Sequence, residues 1–250
     1  MPRVSVVIRA RNEARFIGAT LAALFHPAAA LPPLDVVVVD SGSTDGTQPI
    51  VGSFPVTLIP IRPEDFTYGY ALNLGVAATA GDIVATLSAH SLPADPEWLA
   101  HLVAPFATGP RIAAVYGRQL PRANATPFEL LGMRMTGLLS DKPRLLDKRP
   151  LFSNANGAFR RGLWLEHPFD ERISGAEDIA WARTMQERGY LIAYEPTAAV
   201  YHSHGEPLLK HLRRASRDLP TVVGNWLHLG PGDDRPSLVD TSAPAAAEPD

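Results

Sequence analysis

Asp40 is the first residue whose type and position suggest binding chemistry. It comes directly after the four valines 36–39 and precedes the polar, glycine-containing segment 41–46. In a parallel α/β sheet, ligands bind where the carboxyl ends of the strands meet the loops. A carboxylate there can accept hydrogen bonds from a nucleobase or a ribose hydroxyl. The same pattern fits an aspartate that caps a polar loop, so this segment alone leaves both interpretations open.

Glu177 and Asp178 form a pair of acids at the start of a predicted helix. They follow the small-residue loop 174–176, and the helix is expected to run over 178–188 and to end at Gly189. The helix dipole favours an ionised carboxylate in the first turn, which also makes that carboxylate a weaker base. Acids are common at helix N-termini, so the pair by itself predicts little more than a helix start.

Alternating strand and helix patterns must position these acids. Short, β-branched apolar runs predict buried strands at 4–8, 36–39, 56–59, 83–87 and 112–116. Apolar residues at helical spacing lie between several of them, and Asn12 is expected to cap the first helix. We therefore predict an α/β fold, with a mostly parallel sheet and helices on both faces. In the less regular second half, a strand-like run at 191–202 is interrupted by Pro196.

Composition narrows the classes of protein further. The chain has 250 residues, enough for one large α/β domain, and its net charge of −3 predicts no nucleic-acid partner. The absence of cysteine excludes disulfides and cysteine-based zinc sites, and it fits a reducing cytoplasm. We recognise no signal peptide and no stretch of the roughly 18 apolar residues that a membrane span needs. We expect a cytoplasmic protein, at most peripheral at the inner face of the membrane.

Four segments in a fixed order carry a specific resemblance. They are VSVVIRARNEARFI, VVVVDSGSTDGT, YALNLGVAATAGDIVATLSA and GAEDIAWARTMQERGY. Together they resemble the successive motifs of family 2 glycosyltransferases, in the rhamnosyltransferase-like branch. The resemblance covers about residues 3–205. It implies the GT-A fold of nucleotide-diphospho-sugar transferases, and an inverting transfer of a sugar to a saccharide or lipid-linked acceptor in cell-surface polysaccharide synthesis.

The resemblance also implies roles for individual residues. Asp178 would be the catalytic base, with Glu177 in a supporting role, and Asp40 would contact the base of the donor nucleotide. Further donor-binding residues would be Arg9, Arg11, Ser41, Asn73, Ser88 and His90. For Asn73, packing at a helix start is the alternative that we favour. Asn156 and Arg160 would lie on the acceptor side, where a simple polar turn fits the sequence equally well.

The metal-binding motif departs from the family pattern. Members of the family carry Asp-x-Asp after the strand that ends here at Leu87, but this chain reads Ser88-Ala89-His90. His90 stands at the second position of the motif. By resemblance to the related polypeptide N-acetylgalactosaminyltransferases, His202 and His204 would complete a site for Mn²⁺ or Mg²⁺. Three interpretations stay open: a histidine-based metal site, diphosphate binding by His90 and arginines with little or no metal, or an inactive chain.

The domain organisation and two other functions complete the predictions. We expect a glycosyltransferase domain at 1–205, a C-terminal helical segment at 206–229 and a disordered tail at 230–250. The basic part of that segment, 208–217, predicts either contact with an anionic membrane or a solvated helix face. The alternatives to a glycosyltransferase are a nucleotidyltransferase on a similar sheet and an inactive protein that binds a nucleotide or a carbohydrate.

Overall fold

Four parallel strands form the first part of the sheet in a computed structural model that describes residues 2–33 and 35–203. In spatial order they are β3 (Thr57–Pro60), β2 (Asp35–Asp40), β1 (Val4–Ala10) and β4 (Ile83–Ser88). Branched apolar residues suit β1, β2 and β4 because helices cover both faces of a parallel sheet. β3 is an edge strand without a buried residue, so the prediction of a buried strand at 56–59 is corrected to an edge strand. All four carboxyl ends reach the same edge, so the loops that carry the candidate site residues begin side by side.

An antiparallel strand then divides the sheet. β8 (Asn156–Arg160) pairs antiparallel with β4 on one side and with β6 (Ile112–Leu120) on the other. Asn156 lies opposite Leu87 and Arg160 lies opposite Ile83, so β8 begins at the site edge and ends at the other edge. A strand was not predicted here, because its sequence resembles a polar turn followed by an arginine pair.

The last long strand, β9 (Leu191–Tyr201), pairs parallel with β6. The strand continues through Pro196, but its ladder with β6 is interrupted there, since Glu195 pairs with Gly117 and the next paired residue is Val200, opposite Gln119. A register shift opposite Gly117 and Gln119 accommodates the proline, which cannot donate to the ladder. Two short strands that pair antiparallel with β9, β5 (Leu92–Pro93) and β7 (Arg144–Leu146), complete nine strands among the described residues.

Helices cover both faces of the sheet, as predicted. They are α1 (Ile17–Leu24), α2 (Thr47–Val51), α3 (Tyr68–Ala77), α4 (Trp98–Val103), α5 (Pro127–Met135), α6 (Arg161–Glu166) and α7 (Glu177–Glu187). The side chains of α1 and α4 share one buried cluster with Val6 and Ile8 of β1. Those of α3, α6 and α7 share a second cluster with Val7, which points to the opposite face. Within the part of the chain described, no helix combines the length and apolarity of a membrane span.

Asn12 has a different role from the predicted one. The first helix begins at Ile17, and Asn12 adopts a left-handed backbone conformation with φ of 54°. Its side-chain oxygen accepts a hydrogen bond from the backbone N–H of Thr44 (2.8 Å), and its own N–H donates to the hydroxyl of Ser43 (2.8 Å). The prediction of a helix cap is therefore wrong, and Asn12 instead ties the loop after β1 to the loop after β2.

Candidate active site

A cleft of about 810 Å³ lies along the carboxyl ends of the parallel strands. It is lined by residues that follow β1, β2 and β4 and by the start of α7, which is where ligands bind in open α/β sheets. The predicted site residues that line it are Arg9, Arg11, Ser41, Ser88, His90, Glu177, Asp178 and His202. Sequence elements more than 160 positions apart along the chain thus share one cavity, because the sheet brings their ends together.

Asp40 is fully buried at the end of β2. Its carboxylate accepts hydrogen bonds from the backbone N–H of Ser43 (2.9 Å), from the hydroxyl of Ser43, and from the side-chain amide of Gln48 (2.7 Å). These contacts are those of an aspartate that organises its own loop, and the neighbouring Ser41 lines the cleft. Direct contact between Asp40 and a nucleobase stays a prediction.

The acids Glu177 and Asp178 enter the cleft from the start of α7. Ala176, just before them, has a positive φ of 62°, a conformation that costs an alanine about 1–2 kcal/mol. The Asp178 carboxylate accepts hydrogen bonds from the backbone N–H groups of Asn154 (3.1 Å) and Ile179 (2.9 Å). The buried Glu177 carboxylate accepts one from the side-chain amide of Asn154 (3.2 Å). Asn154, which the sequence did not single out, therefore holds both acids.

The environment of Asp178 makes it a stronger base than an ordinary aspartate. Loss of hydration, followed by repulsion from the negative charge of Glu177, raises the pKa of Asp178 to about 7. The backbone hydrogen bonds from Asn154 and Ile179 and the positive charge of Arg9 oppose this increase. Burial thus raises the pKa of Asp178 by more than the helix N-terminus, which was expected to stabilise the ionised carboxylate, lowers it. A carboxylate with a pKa near 7 is suited to accept a proton at neutral pH.

Arg9 carries positive charge into the same part of the cleft. Its guanidinium stacks on the ring of Tyr68 at 4.6 Å and lies 3.6 Å from the carboxylate of Glu177. The terminal nitrogen that faces Glu177, Nη1, is buried and makes no hydrogen bond among the described residues. A buried donor without an acceptor costs about 1–3 kcal/mol, and an anionic oxygen in the cleft would remove that cost.

His90 is fixed at the end of β4 by contacts on several sides. Its Nδ1 lies 2.8 Å from a carboxylate oxygen of Glu13, which also lines the cleft and which the sequence reasoning missed. The ring stacks on that of His202, with centroids 5.0 Å apart and planes 10° from parallel. The Nδ1 of His202 in turn lies 2.8 Å from the side-chain oxygen of Gln119. Both imidazoles are therefore held in one orientation.

The orientation of the two imidazoles does not fit a shared metal ion. A metal bound by an imidazole nitrogen lies in the plane of that ring, so two nearly parallel, stacked rings cannot both bind one ion. The Nδ1 atoms contact Glu13 and Gln119, so an ion could be bound only through the Nε2 atoms. Among the described residues, no group of three or more histidine, aspartate or glutamate side chains could hold a metal. The third predicted ligand, His204, lies outside the described residues.

Besides the buried Asp40, three predicted site residues do not line the cleft. Arg160 lies at the opposite edge of the sheet, where its guanidinium donates to backbone carbonyls, including that of Ile112 (2.8 Å). Asn156 is fully buried, accepts a hydrogen bond from the indole of Trp98 (2.9 Å) and donates to two backbone carbonyls. Asn73 binds the segment 169–171 and the indole of Trp164. Their expected acceptor and donor roles are corrected to structural ones, and for Asn73 this matches the favoured alternative.

Similar solved structures have the same fold. A mannosyltransferase from Pyrobaculum calidifontis, in complex with GDP-Man and Mn²⁺, has a TM-score of 0.69 at 25% identity, covering 94% of this chain and 66% of that one. Glucosyl-3-phosphoglycerate synthase from Mycobacterium tuberculosis, in complex with Mn²⁺, UDP and glucosyl-3-phosphoglycerate, has a TM-score of 0.64 at 24% identity, covering 93% of this chain and 82% of that one. These similarities confirm the predicted GT-A fold.

Sequence comparisons identify the family. The O-antigen chain rhamnosyltransferase RfbN of Salmonella typhimurium is 35% identical over 182 residues, which cover 69% of this chain and 58% of the relative. The corresponding WbaN of Salmonella anatum is 31% identical over 181 residues, covering 69% and 57%. The chain thus spans less than two thirds of the length of these relatives. Since a sequence model of "Glycosyl transferase family 2" also matches residues 5–164, the chain belongs to family 2 of the glycosyltransferases, in the rhamnosyltransferase-like branch.

Proposed function

We propose that this chain transfers a sugar, with inversion, from a nucleoside diphosphate to a hydroxyl group of a saccharide or lipid-linked acceptor in cell-surface polysaccharide synthesis. The observation that carries the proposal is Asp178, a carboxylate whose pKa is raised to about 7 and which faces the cleft at the carboxyl ends of the strands. The two rhamnosyltransferases that share the family and its motifs support the same class of reaction.

The geometry supports a single displacement with Asp178 as the general base. Asp178 accepts the proton of the acceptor hydroxyl as the hydroxyl oxygen attacks the anomeric carbon of the donor sugar. The bond between that carbon and the donor phosphate oxygen breaks, and its electron pair leaves with the nucleoside diphosphate. Glu177 is buried and engaged by Asn154 and Arg9, so it is not placed to act as a second nucleophile. One attack without a covalent intermediate inverts the anomeric configuration.

A screen of donor hydrolysis tests this function. The purified chain is incubated with UDP-, GDP-, CDP- and dTDP-sugars, and release of the nucleoside diphosphate is measured with and without candidate acceptors. We expect one donor to be turned over, because water can replace the acceptor hydroxyl beside Asp178. NMR of the product should show the anomeric configuration opposite to that of the donor. An absence of both turnover and nucleotide binding for every donor would contradict the proposal and favour an inactive or non-catalytic protein.

A lipid-linked acceptor is favoured by the surface of α5. Phe128, Leu131 and Met135 recur on one face of this helix and are 52%, 55% and 73% exposed. We call these three residues the α5 apolar face. The helix leads directly into Thr136 and Leu138, which line the cleft, so a membrane in contact with this face would lie near the cleft.

We extend the proposal to contact between the α5 apolar face and an anionic membrane surface. Arg134, in the last turn of α5, and Lys142, after the helix, are exposed and would face acidic lipid headgroups. The expected membrane contact at 208–217 lies outside the described residues. Placement at the inner face of the cytoplasmic membrane belongs to the same proposal, and the lack of cysteine is consistent with it.

Replacing all three residues of the α5 apolar face with serine should weaken binding to vesicles that contain phosphatidylglycerol by about tenfold, because apolar burial contributes to interfacial binding. Co-sedimentation measures the binding, with phosphatidylcholine vesicles for comparison. Leu165→Ser provides a matched control, since Leu165 is 57% exposed on α6 and lies outside the cleft. Equal vesicle binding by the triple variant and the wild type, or a change in self-association instead, would contradict membrane contact at α5.

A further inference from the structure

We propose that this chain binds and stabilises the donor diphosphate with Arg9, Arg11 and His90, and that the reaction needs no divalent metal. The inference rests on the proposed function, whose donor must contain a diphosphate. It starts from the mismatch between the family's acidic metal motif and the residues at the end of β4, which are Ser88, Ala89 and His90.

The first support comes from the way in which His90 is held. A metal site would need the imidazole of His90 and a second ligand to converge on one point. The ring of His90 is instead stacked against that of His202, with the two planes 10° from parallel. The nearest carboxylate, Glu13, lies 2.8 Å from Nδ1 of His90. The Glu13 carboxylate accepts a hydrogen bond from Nδ1–H and orients the imidazole that lines the cleft, so His90 donates to a phosphate oxygen through Nε2–H as the imidazolium. Glu13 is therefore a positioning residue in this proposal.

The second support comes from the arginines after β1. Arg9 presents a buried Nη1 that lies 3.6 Å from a carboxylate oxygen of Glu177 but makes no hydrogen bond among the described residues, and its guanidinium is held against Tyr68. Arg11 is exposed at the cleft and forms no ion pair with an acid among the described residues. Two guanidinium groups carry the same formal charge as one divalent cation. They also present planar pairs of donors that match phosphate oxygens.

The third support is that the acids facing this cluster already have partners. Glu13 contacts His90, and Glu177 lies beside Arg9 and accepts from Asn154. Asp178 accepts two backbone hydrogen bonds.

As the bond from the anomeric carbon to the phosphate oxygen breaks, the electron pair and the negative charge move to the leaving diphosphate. Fixed N–H donors at this point stabilise that charge, as a metal would in other members of the fold.

The first experiment uses the unaltered chain and the donor identified by the hydrolysis screen. We expect kcat/KM in excess EDTA to stay within about twofold of its value in Mn²⁺, and electron paramagnetic resonance to show no tight Mn²⁺ binding with or without the nucleoside diphosphate. A loss of about tenfold or more in EDTA that Mn²⁺ restores would overturn the inference but leave the proposed function intact. Failure of the proposed function would differ, because no donor would then react under any condition.

The second experiment creates an acidic pair at the same place. In His90→Asp, the new carboxylate would stand beside Glu13, an arrangement of oxygen ligands that suits a divalent ion. We expect this variant to lose about tenfold or more in kcat/KM in EDTA, to recover in Mn²⁺, and to bind Mn²⁺ by electron paramagnetic resonance. His101→Asp is the matched control, since His101 also lies beside a glutamate, Glu97 at 3.5 Å, but outside the cleft.

The control variant should remain resistant to EDTA like the wild type. If His90→Asp retained full activity in EDTA, His90 would not contribute to diphosphate binding and the inference would be wrong. Circular dichroism checks the fold of each variant. His90→Gln provides a second variant, because glutamine retains an N–H donor without adding a charge. We expect it to keep its resistance to EDTA while KM for the donor rises.

Discussion

Replacing Asp178 with asparagine should reduce kcat by about a thousandfold, since a positioned general base contributes roughly 10²–10⁴ to such reactions. Asparagine preserves the shape of the side chain but cannot accept the proton of the acceptor hydroxyl. The side-chain oxygen can still accept one of the two backbone hydrogen bonds, from Asn154 or Ile179, so the start of α7 should remain folded. Steady-state kinetics with the true donor and acceptor measure the loss, and near-normal turnover in a folded variant would contradict the assignment.

Asp82→Asn is the matched control for this loss. Asp82 lies just before β4, at the edge of the sheet opposite the cleft, and accepts a hydrogen bond from the backbone of Arg3. Its replacement should leave kcat unchanged.

The wild-type pH profile provides a second check. Because Asp178 acts as a base only when ionised, and its pKa is about 7, kcat/KM should fall as the pH drops below 7 and level off above it. A profile that is flat from pH 5 to 8 would be incompatible with this residue as the base.

Replacing Gly117 with alanine should destabilise the fold by on the order of 3 kcal/mol, because an added methyl group has no space. A Cβ at this position would lie 2.0 Å from the backbone oxygen of Ala198 and 2.4 Å from the side-chain amide nitrogen of Asn156. That amide donates to the carbonyls of Arg118 (3.1 Å) and Ala198 (2.8 Å), and so connects β6, β8 and β9. Urea denaturation measures the change in the free energy of unfolding, and thermal unfolding should show a decrease in Tm.

Gly162→Ala serves as the control for Gly117→Ala. Gly162 lies within α6, and an added Cβ would meet nothing within 4 Å. This substitution should be neutral or should stabilise the protein by up to about 1 kcal/mol, because alanine favours the helix. If both alanine variants unfolded at the same urea concentration as the wild type, the close packing around Asn156 would not hold β6, β8 and β9 together as described.

The parallel half of the fold can be predicted from sequence because local signals agree there. Each strand is a short, branched, apolar run that ends at polar residues, and the core confirms this pattern for β1, β2 and β4. β8 gives no such signal. Its residues Asn156 and Gly157 resemble a turn, and they are placed in a strand only by pairing with β4 and β6, which are distant in sequence. Long-range pairing of this kind has no local pattern to reveal it.

The candidate site residues likewise include some whose place in the fold can be predicted from the sequence and others whose place cannot. Residues at strand ends, such as Ser41 and Ser88, reach the cleft because the sheet directs all those ends to one edge. Arg160, together with the nearby Asn156, was expected on the acceptor side by resemblance to the family. An antiparallel strand carried it away instead, since five residues of β-strand span about 16 Å. Glu13 was missed for the opposite reason, because only the folded chain brings it beside His90.

The hydrogen bonds between the loops after β1 and β2 also affect the thermodynamics of donor recognition. Besides the contacts of Asn12, the backbone N–H of Glu13 donates to the hydroxyl of Thr47 (2.8 Å), and that of Ala14 donates to the carboxylate of Asp45 (3.0 Å). The conformational entropy of these loops is therefore lost during folding, not during association. A nucleotide that binds beside these preorganised loops requires little rearrangement of the protein. Its association should accordingly be fast, with differences in affinity between nucleotides arising mainly from their dissociation rates.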